Sequence, residues 1–251
     1  MCQRGNKVGI KYFKKEKTEA AWSDITRDER FFCAKLFFDL QGQKQLHKFI
    51  KFLNEQHGQN PFTDVLVVDK ENPFFNNIKL NEQANWELGY EVCFYRDLLL
   101  YHDNPIREFN RNRKLSLSEK RTFDLCLFSD DQLVIIEAKV QQGLNKKQCE
   151  EFGNDKKHIQ QLFESLDFEC PKVSFVILAS SKYYNSPSFT LKQREDGKGE
   201  GIGCKFIKVN EDLSLCFISW QQIANNFKIA SSDEAEAAAK FYKHVDEVYG
   251  Q

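Results

Sequence analysis

No Cys-x-x-Cys pair occurs in the 251 residues, although eight cysteines do. That absence excludes a zinc ribbon, which needs closely spaced thiolate ligands. No apolar run is long enough to span a bilayer and no signal peptide is recognised, so a reduced cytoplasm is the expected compartment. Net charge is nearly absent at −1, so the chain as a whole does not announce a nucleic-acid partner and any basic surface has to be local. There is no internal repeat and no linker-like stretch, which predicts one domain over 1–251.

What is present is apolar and aromatic material. Hydrophobic residues make up 41% and aromatics 14%, with 23 phenylalanines, enough for a substantial ring-filled core. Cys33, Cys93, Cys126 and Cys216 lie in apolar surroundings and read as small buried hydrophobes.

The pattern along the chain predicts elements. The basic start is read as an arm. A helical part follows over about 18–57: one helix through Leu40, with Thr26 and Glu29 at capping-box spacing, and a second over Gly42–Gln56 carrying Leu46, Phe49, Ile50 and Leu53. Phe62–Val68 and Trp86–Tyr95 read as strands. Arg96–Asp97 reads as an ion pair at the end of the second. Arg107–Arg121 reads as a basic loop, with Leu115 and Leu117 in a short local strand. Asn145–Leu166 is a helix striped by Ile159, Leu162, Phe163 and Leu166. Lys172–Ser180 has the continuous apolar run of a central strand. Tyr183–Cys204 is a loop whose glycine run lacks the strand–loop–helix context of a phosphate cradle. The extension over about 205–251 holds strands at Lys205–Val209 and Leu213–Ile218, then helices from Ser219 and over Asp233–Tyr249.

One stretch carries charge where a buried strand should have none. Two apolar runs flank the polar turn Ser129–Asp130–Asp131–Gln132. The first holds Asp124 and the second holds Glu137 and Lys139. A turn centred on Asp130 and Asp131 puts Asp124 across from Glu137, Cys126 across from Ile135 and Phe128 across from Leu133. Alternation puts Glu137 and Lys139 on one face. Two carboxylates about 5 Å apart repel by roughly 3 kcal/mol at an effective dielectric of 20. A divalent cation reverses that sign. Two carboxylates plus a backbone carbonyl suit a hard ion such as Mg²⁺, and the adjacent Lys139 is placed to orient a water or offset phosphate charge. The competing reading is a buried salt bridge of Lys139 with one acid, which leaves the other acid unexplained.

Asp124 followed by Glu137–Ala138–Lys139 on the next strand resembles the PD-(D/E)XK nuclease superfamily, with Phe123 where the name-giving proline would stand. The resemblance covers a core of about 87–180. It implies an α/β fold of restriction-endonuclease type, a mixed central sheet flanked by helices. It implies a Mg²⁺-dependent phosphodiesterase, with Mn²⁺ as a substitute, in which Asp124, Glu137 and the Ala138 carbonyl hold the ion and Lys139 positions the attacking water. The superfamily often adds an upstream acid, here Glu91 or Glu29. Arg107, Arg111, Arg113, Lys114, Lys120 and Arg121 form the one basic stretch and are expected to grip flanking phosphates, with Gln141 continuing the strand face toward substrate. Lys156, Lys157 and His158 lie on the following helix, from which a backbone phosphate could be reached, with His158 read as a surface residue rather than a ligand.

The expected activity is cleavage of nucleic acid, DNA before RNA, by an endonuclease of restriction or defence type. The alternatives are an RNA-directed nuclease, a catalytically silent nucleic-acid-binding module on the same scaffold, and a structural protein whose charged trio is a buried ion network. No membrane partner is expected. The C-terminal helix is a surface through which a second copy of the chain could pair.

Overall fold

A computed structural model describes residues 29–41, 43–57, 78–140, 146–184, 191–192, 200–201, 214–228 and 232–249. Among the described residues two helices come first, α1 (Glu29–Leu40) and α2 (Gln43–Glu55). Strand β1 (Glu87–Val92) leads into α3 (Phe94–Tyr101) and α4 (Ile106–Arg113). The hairpin β2 (Phe123–Phe128) and β3 (Gln132–Ala138) follows. Helix α5 (Lys146–Ser165) crosses to β4 (Lys172–Ala179), and α6 (Ser181–Tyr184) is one turn long. A two-residue ribbon, β5 (Leu191–Lys192) with β6 (Glu200–Gly201), precedes β7 (Ser214–Ser219), α7 (Trp220–Lys228) and α8 (Asp233–Tyr249).

Five strands form one mixed sheet in the order β1-β2-β3-β4-β7. The first three pair antiparallel; β3–β4 and β4–β7 pair parallel. Strict alternation distributes the strands' side chains between two cores. Leu125, Leu127, Val134, Ile136, Val176, Leu178, Cys216 and Ile218 pack with α1, α2, α7 and α8. Cys126, Leu133, Ile135, Phe175, Ile177, Leu215 and Phe217 pack with α3, α4 and α5. Burial on both faces is why β4 reads as an unbroken apolar run. Val173 to Ala179 are all buried. The first core is ring-rich: Trp220 stacks on Tyr242 at 5.8 Å, and Tyr242 on Phe227 at 5.5 Å.

The alternation fails at one place. Glu91 has φ 51°, a left-handed value that bulky residues seldom adopt. Leu88 and Tyr90 pack toward α1, whereas Val92 packs into the opposite core. β1 therefore twists out of register with its own pleat at the end that faces Asp124.

Several sequence expectations change. The strand expected to run through Tyr95 stops at Val92, and Phe94 and Tyr95 open α3. Arg107–Arg121 is not simply a loop. Pro105 starts α4, Ile106 and Phe109 anchor it in the core, and Lys114 ends it at φ 54°. Leu115 and Leu117 form no strand, because Asn110 captures the Leu117 backbone, accepting from its N–H at 3.0 Å and donating to its carbonyl at 2.8 Å. Tyr183 and Tyr184 lie in α6, at what was expected to be the start of the long loop. Cys33, Cys126 and Cys216 are buried as expected, but Cys93 is only half-buried. The expected strands at Phe62–Val68 and Lys205–Val209 lie outside the described residues.

Candidate active site

The site begins with a tight turn. Ser129 N–H donates to the Gln132 carbonyl at 2.9 Å, and the Gln132 N–H returns a bond to Ser129 Oγ at 3.1 Å. With Asp130 and Asp131 as the two turn residues, Phe128 pairs with Leu133, Cys126 with Ile135 and Leu125 with Ile136. One step further, the same register sets Asp124 across from Glu137. The β1–β2 register likewise pairs Tyr90 with Leu125 and Val92 with Phe123, so Glu91 falls level with Asp124.

Asp124 turns its carboxylate to the end of β3, where Oδ2 accepts the Ala138 N–H at 2.8 Å. No cation lies within ion-pair distance of it among the described residues. Burial, and next the nearby charge of Glu137, push its carboxyl up to about 7. Glu137 is handled differently. It is 7% exposed, its Oε1 accepts from Lys139 Nζ at 2.8 Å, and its Oε2 lies 3.9 Å from Arg121 Nη2.

Lys139 sits between two acids. Besides Glu137, its Nζ lies 3.4 Å from Glu29 Oε1, while Glu29 Oε2 accepts the Val140 N–H at 3.1 Å. Burial works against the Lys139 charge, but Glu137 and Glu29 outweigh it and hold the ammonium above its ordinary range. Burial raises the Glu29 carboxyl, because it exceeds the lowering by Lys139. The strand end itself is fixed: Lys139 N–H donates to the Leu178 carbonyl at 2.7 Å, and Trp220 Nε1 donates to the Lys139 carbonyl at 3.2 Å.

Of the two upstream acids, Glu29 joins the lysine cluster. Glu91 is engaged elsewhere, with Arg30 Nε 3.5 Å away. The basic stretch separates as well. Arg107 pairs with Glu119 at 2.9 Å on the surface, and Arg113 donates to the Ser165 carbonyl at 3.2 Å. Arg111, Lys114 and Lys120 are exposed. Arg121 turns inward, donating to Asp155 Oδ2 from Nε at 3.1 Å and Nη2 at 2.8 Å. Lys157 is exposed, Lys156 and His158 are half-buried, and His158 meets the Tyr95 ring edge-on. Gln141 lies outside the described residues.

Asp155, Glu151, Tyr95 and Trp220 were not singled out by sequence, yet they surround the trio. Asp155 had a signal. It stands three residues after Phe152 and four before Ile159, an acid inside an apolar stripe, the same anomaly that marks Asp124.

Among the described residues, no three His, Cys, Asp or Glu side chains converge as a ready ligand set. The chemistry of the donors nevertheless fits a hard cation. Glu29 and Glu137 share Lys139, Glu137, Glu151 and Asp155 lie around Arg121, and Asp124 has no cation within ion-pair distance among the described residues. Oxygen donors and surplus negative charge favour an ion of the Mg²⁺ class over a soft metal. No family model matches the chain, and neither a curated protein nor a solved structure matches it.

Proposed function

We propose that the chain is a divalent-metal-dependent phosphodiesterase acting on nucleic acid, most directly a DNA endonuclease on a restriction-endonuclease-like fold. The observation that carries this reading is the end of the β2–β3 hairpin. A half-buried acid, Asp124, with no cation beside it among the described residues, lies across from Glu137, and Lys139 at the strand end is hydrogen-bonded to Glu137. The sheet order supports it: an antiparallel β1-β2-β3 meander, then a crossover through α5 to a parallel β4.

Asp124 and Glu137, with the Ala138 carbonyl, would hold Mg²⁺ or Mn²⁺. A bound ion of this kind polarises a phosphoryl oxygen and lowers the pKa of a coordinated water. The chain supplies the rest. Lys139, kept protonated by Glu137 and Glu29, presents a fixed positive charge to the phosphate and orients the attacking water. Glu29 fixes that lysine from α1 while its second oxygen binds the Val140 backbone, so both groups stay in place. The exposed cations Arg111, Arg113, Lys114 and Lys120 add sequence-independent affinity for the phosphate backbone.

A second reading is a structural ion network, favoured by the alternating chain Glu29–Lys139–Glu137–Arg121–Asp155. That reading leaves Asp124 only its bond from the Ala138 N–H and does not account for its charge. The two separate in one experiment: incubate wild type and Glu137→Ala with plasmid, linear duplex and RNA, in Mg²⁺ or EDTA. Cleavage by wild type in Mg²⁺ alone supports the phosphodiesterase; equal products from the variant, or in EDTA, reject it. The RNA arm decides between the DNA and RNA forms of the proposal.

A further inference from the structure

Arg121 is placed differently from the rest of the basic stretch. Its guanidinium lies 4.9 Å from the Phe123 ring centre and is clamped by Asp155 through Nε and Nη2. Asp155 is only 4% exposed, and its other oxygen accepts the Tyr95 hydroxyl at 2.7 Å. Tyr95 is itself 1% exposed. Three elements therefore fix one arginine: the strand entry, α5 and α3. Such a fixed fork loses little freedom when it binds a planar or tetrahedral anion.

Among the described residues, the clamp leaves Nη1 without a hydrogen-bond partner. A guanidinium has five N–H groups, and the Asp155 bonds engage only one side of it. Glu137 Oε2 stands 3.9 Å from Nη2, which Asp155 already engages through one hydrogen, and Glu151 Oε2 stands 4.0 Å from Nη1. Both exceed hydrogen-bonding distance. Asp155 thus holds the arginine beside Glu137, at a distance that no direct hydrogen bond spans. The gap lies beside the carboxylate that the proposed function assigns to the reacting centre.

We infer that Arg121 is a catalytic residue that donates to the phosphate undergoing cleavage, and that Asp155 and Tyr95 are positioning residues that hold its fork in that gap. This rests on the phosphodiesterase reading and sharpens it. Arg121 acts on the reacting phosphate as negative charge builds up there, whereas Arg111, Arg113 and Lys114 act on the ground-state grip of flanking phosphates. The recognised chemistry is a phosphodiester oxygen, without regard to base.

The test is steady-state cleavage of a duplex in Mg²⁺ by wild type, Arg121→Ala, Arg121→Lys, Asp155→Asn and Tyr95→Phe, with thermal stability and duplex affinity in EDTA measured alongside. Arg121→Ala should lower kcat by about 10²–10³-fold, the usual loss for one donor aimed at developing charge. KM and EDTA affinity should stay near wild type. Added guanidinium, at concentrations too low to denature, should restore part of the Arg121→Ala rate. Asp155→Asn should lower kcat by about 10-fold, in line with the loss of an outer-shell partner. Tyr95→Phe tests the same clamp with the ring left in the core. A merely structural arginine would lower stability and leave kcat intact in the fraction still folded, with no guanidinium rescue. Those results overturn the inference. A wild type that fails to cleave removes this assignment and the function together; a wild type that cleaves alongside an equally active Arg121→Ala removes this assignment alone.

Discussion

Replacing Asp124 with asparagine should make the metal-free protein more stable at alkaline pH. Asp124 is a half-buried acid whose carboxyl is pushed up to about 7, from an ordinary value near 3.8, by desolvation and next by Glu137. The sign follows from proton counting. Between about pH 4 and pH 7 the unfolded chain has released this proton while the folded chain still holds it, so stability falls as pH rises through that window. Above it the full penalty applies. About three pKa units at 1.36 kcal/mol each is roughly 4 kcal/mol, an upper limit because Glu137 and Lys139 readjust when Asp124 ionises. An asparagine oxygen can still accept the Ala138 N–H bond that Asp124 accepts at 2.8 Å. The variant therefore keeps the strand-end contact and drops the charge. Denaturant unfolding in EDTA at a series of pH values gives the comparison. The two proteins should be about equally stable near pH 4, with the variant gaining on wild type up to pH 8. A variant that is less stable than wild type at pH 8, or a difference that does not change with pH, refutes the reasoning, because Asp124 would then be a compensated structural charge.

Other perturbations test other parts. Glu137→Ala and Lys139→Ala should each abolish cleavage while leaving duplex affinity in EDTA nearly unchanged; wild-type turnover in either would remove the roles assigned to them. Lys139→Ala should also lower stability by about 3 kcal/mol, since it removes the cation that Glu137 and Glu29 share, and calorimetric unfolding reads this directly. Removing charge at Arg111, Arg113 and Lys114 together should weaken binding across unrelated sequences and flatten the logarithmic salt slope by about one per lost phosphate contact; an unchanged slope would clear that surface of any role. Gly89→Ala should destabilise by about 1–3 kcal/mol, because a Cβ there would meet Val92 Cγ2 at 2.6 Å and Phe128 Cε2 at 3.1 Å. An alanine variant as stable as wild type would show that these side chains yield freely.

The hairpin was legible because two local rules determine it. A polar pair between two apolar runs specifies the turn, and alternation then sets the register, so the pairing of Cys126 with Ile135 needed no tertiary information. The run before Ser180 announced a strand buried on both faces, and the periodicity of Asp233–Tyr249 gave a helix with those ends. Helix α4 was hidden because Ile106 and Phe109, only two apolar residues, anchor it inside a run of charges. Phe94 and Tyr95 suit a strand by propensity, but packing against Phe163 and Asp155 draws them into a helix. The site's outer partners left the weakest traces. Arg121 meets Asp155 34 residues away, and Glu29 meets Val140 111 residues away. Local periodicity cannot encode such long-range pairs.

The claim beneath all of this is that Asp124 and Glu137 together attract a divalent cation. Titration calorimetry with Mg²⁺ and Mn²⁺ on wild type and on Asp124→Asn, run near neutral pH in two buffers of different ionisation heat, measures it most directly. Wild type should bind the ion and release a proton as Asp124 gives up its own, and the variant should bind far more weakly with no such release. Equal binding by both proteins, or no binding by wild type, would contradict the account.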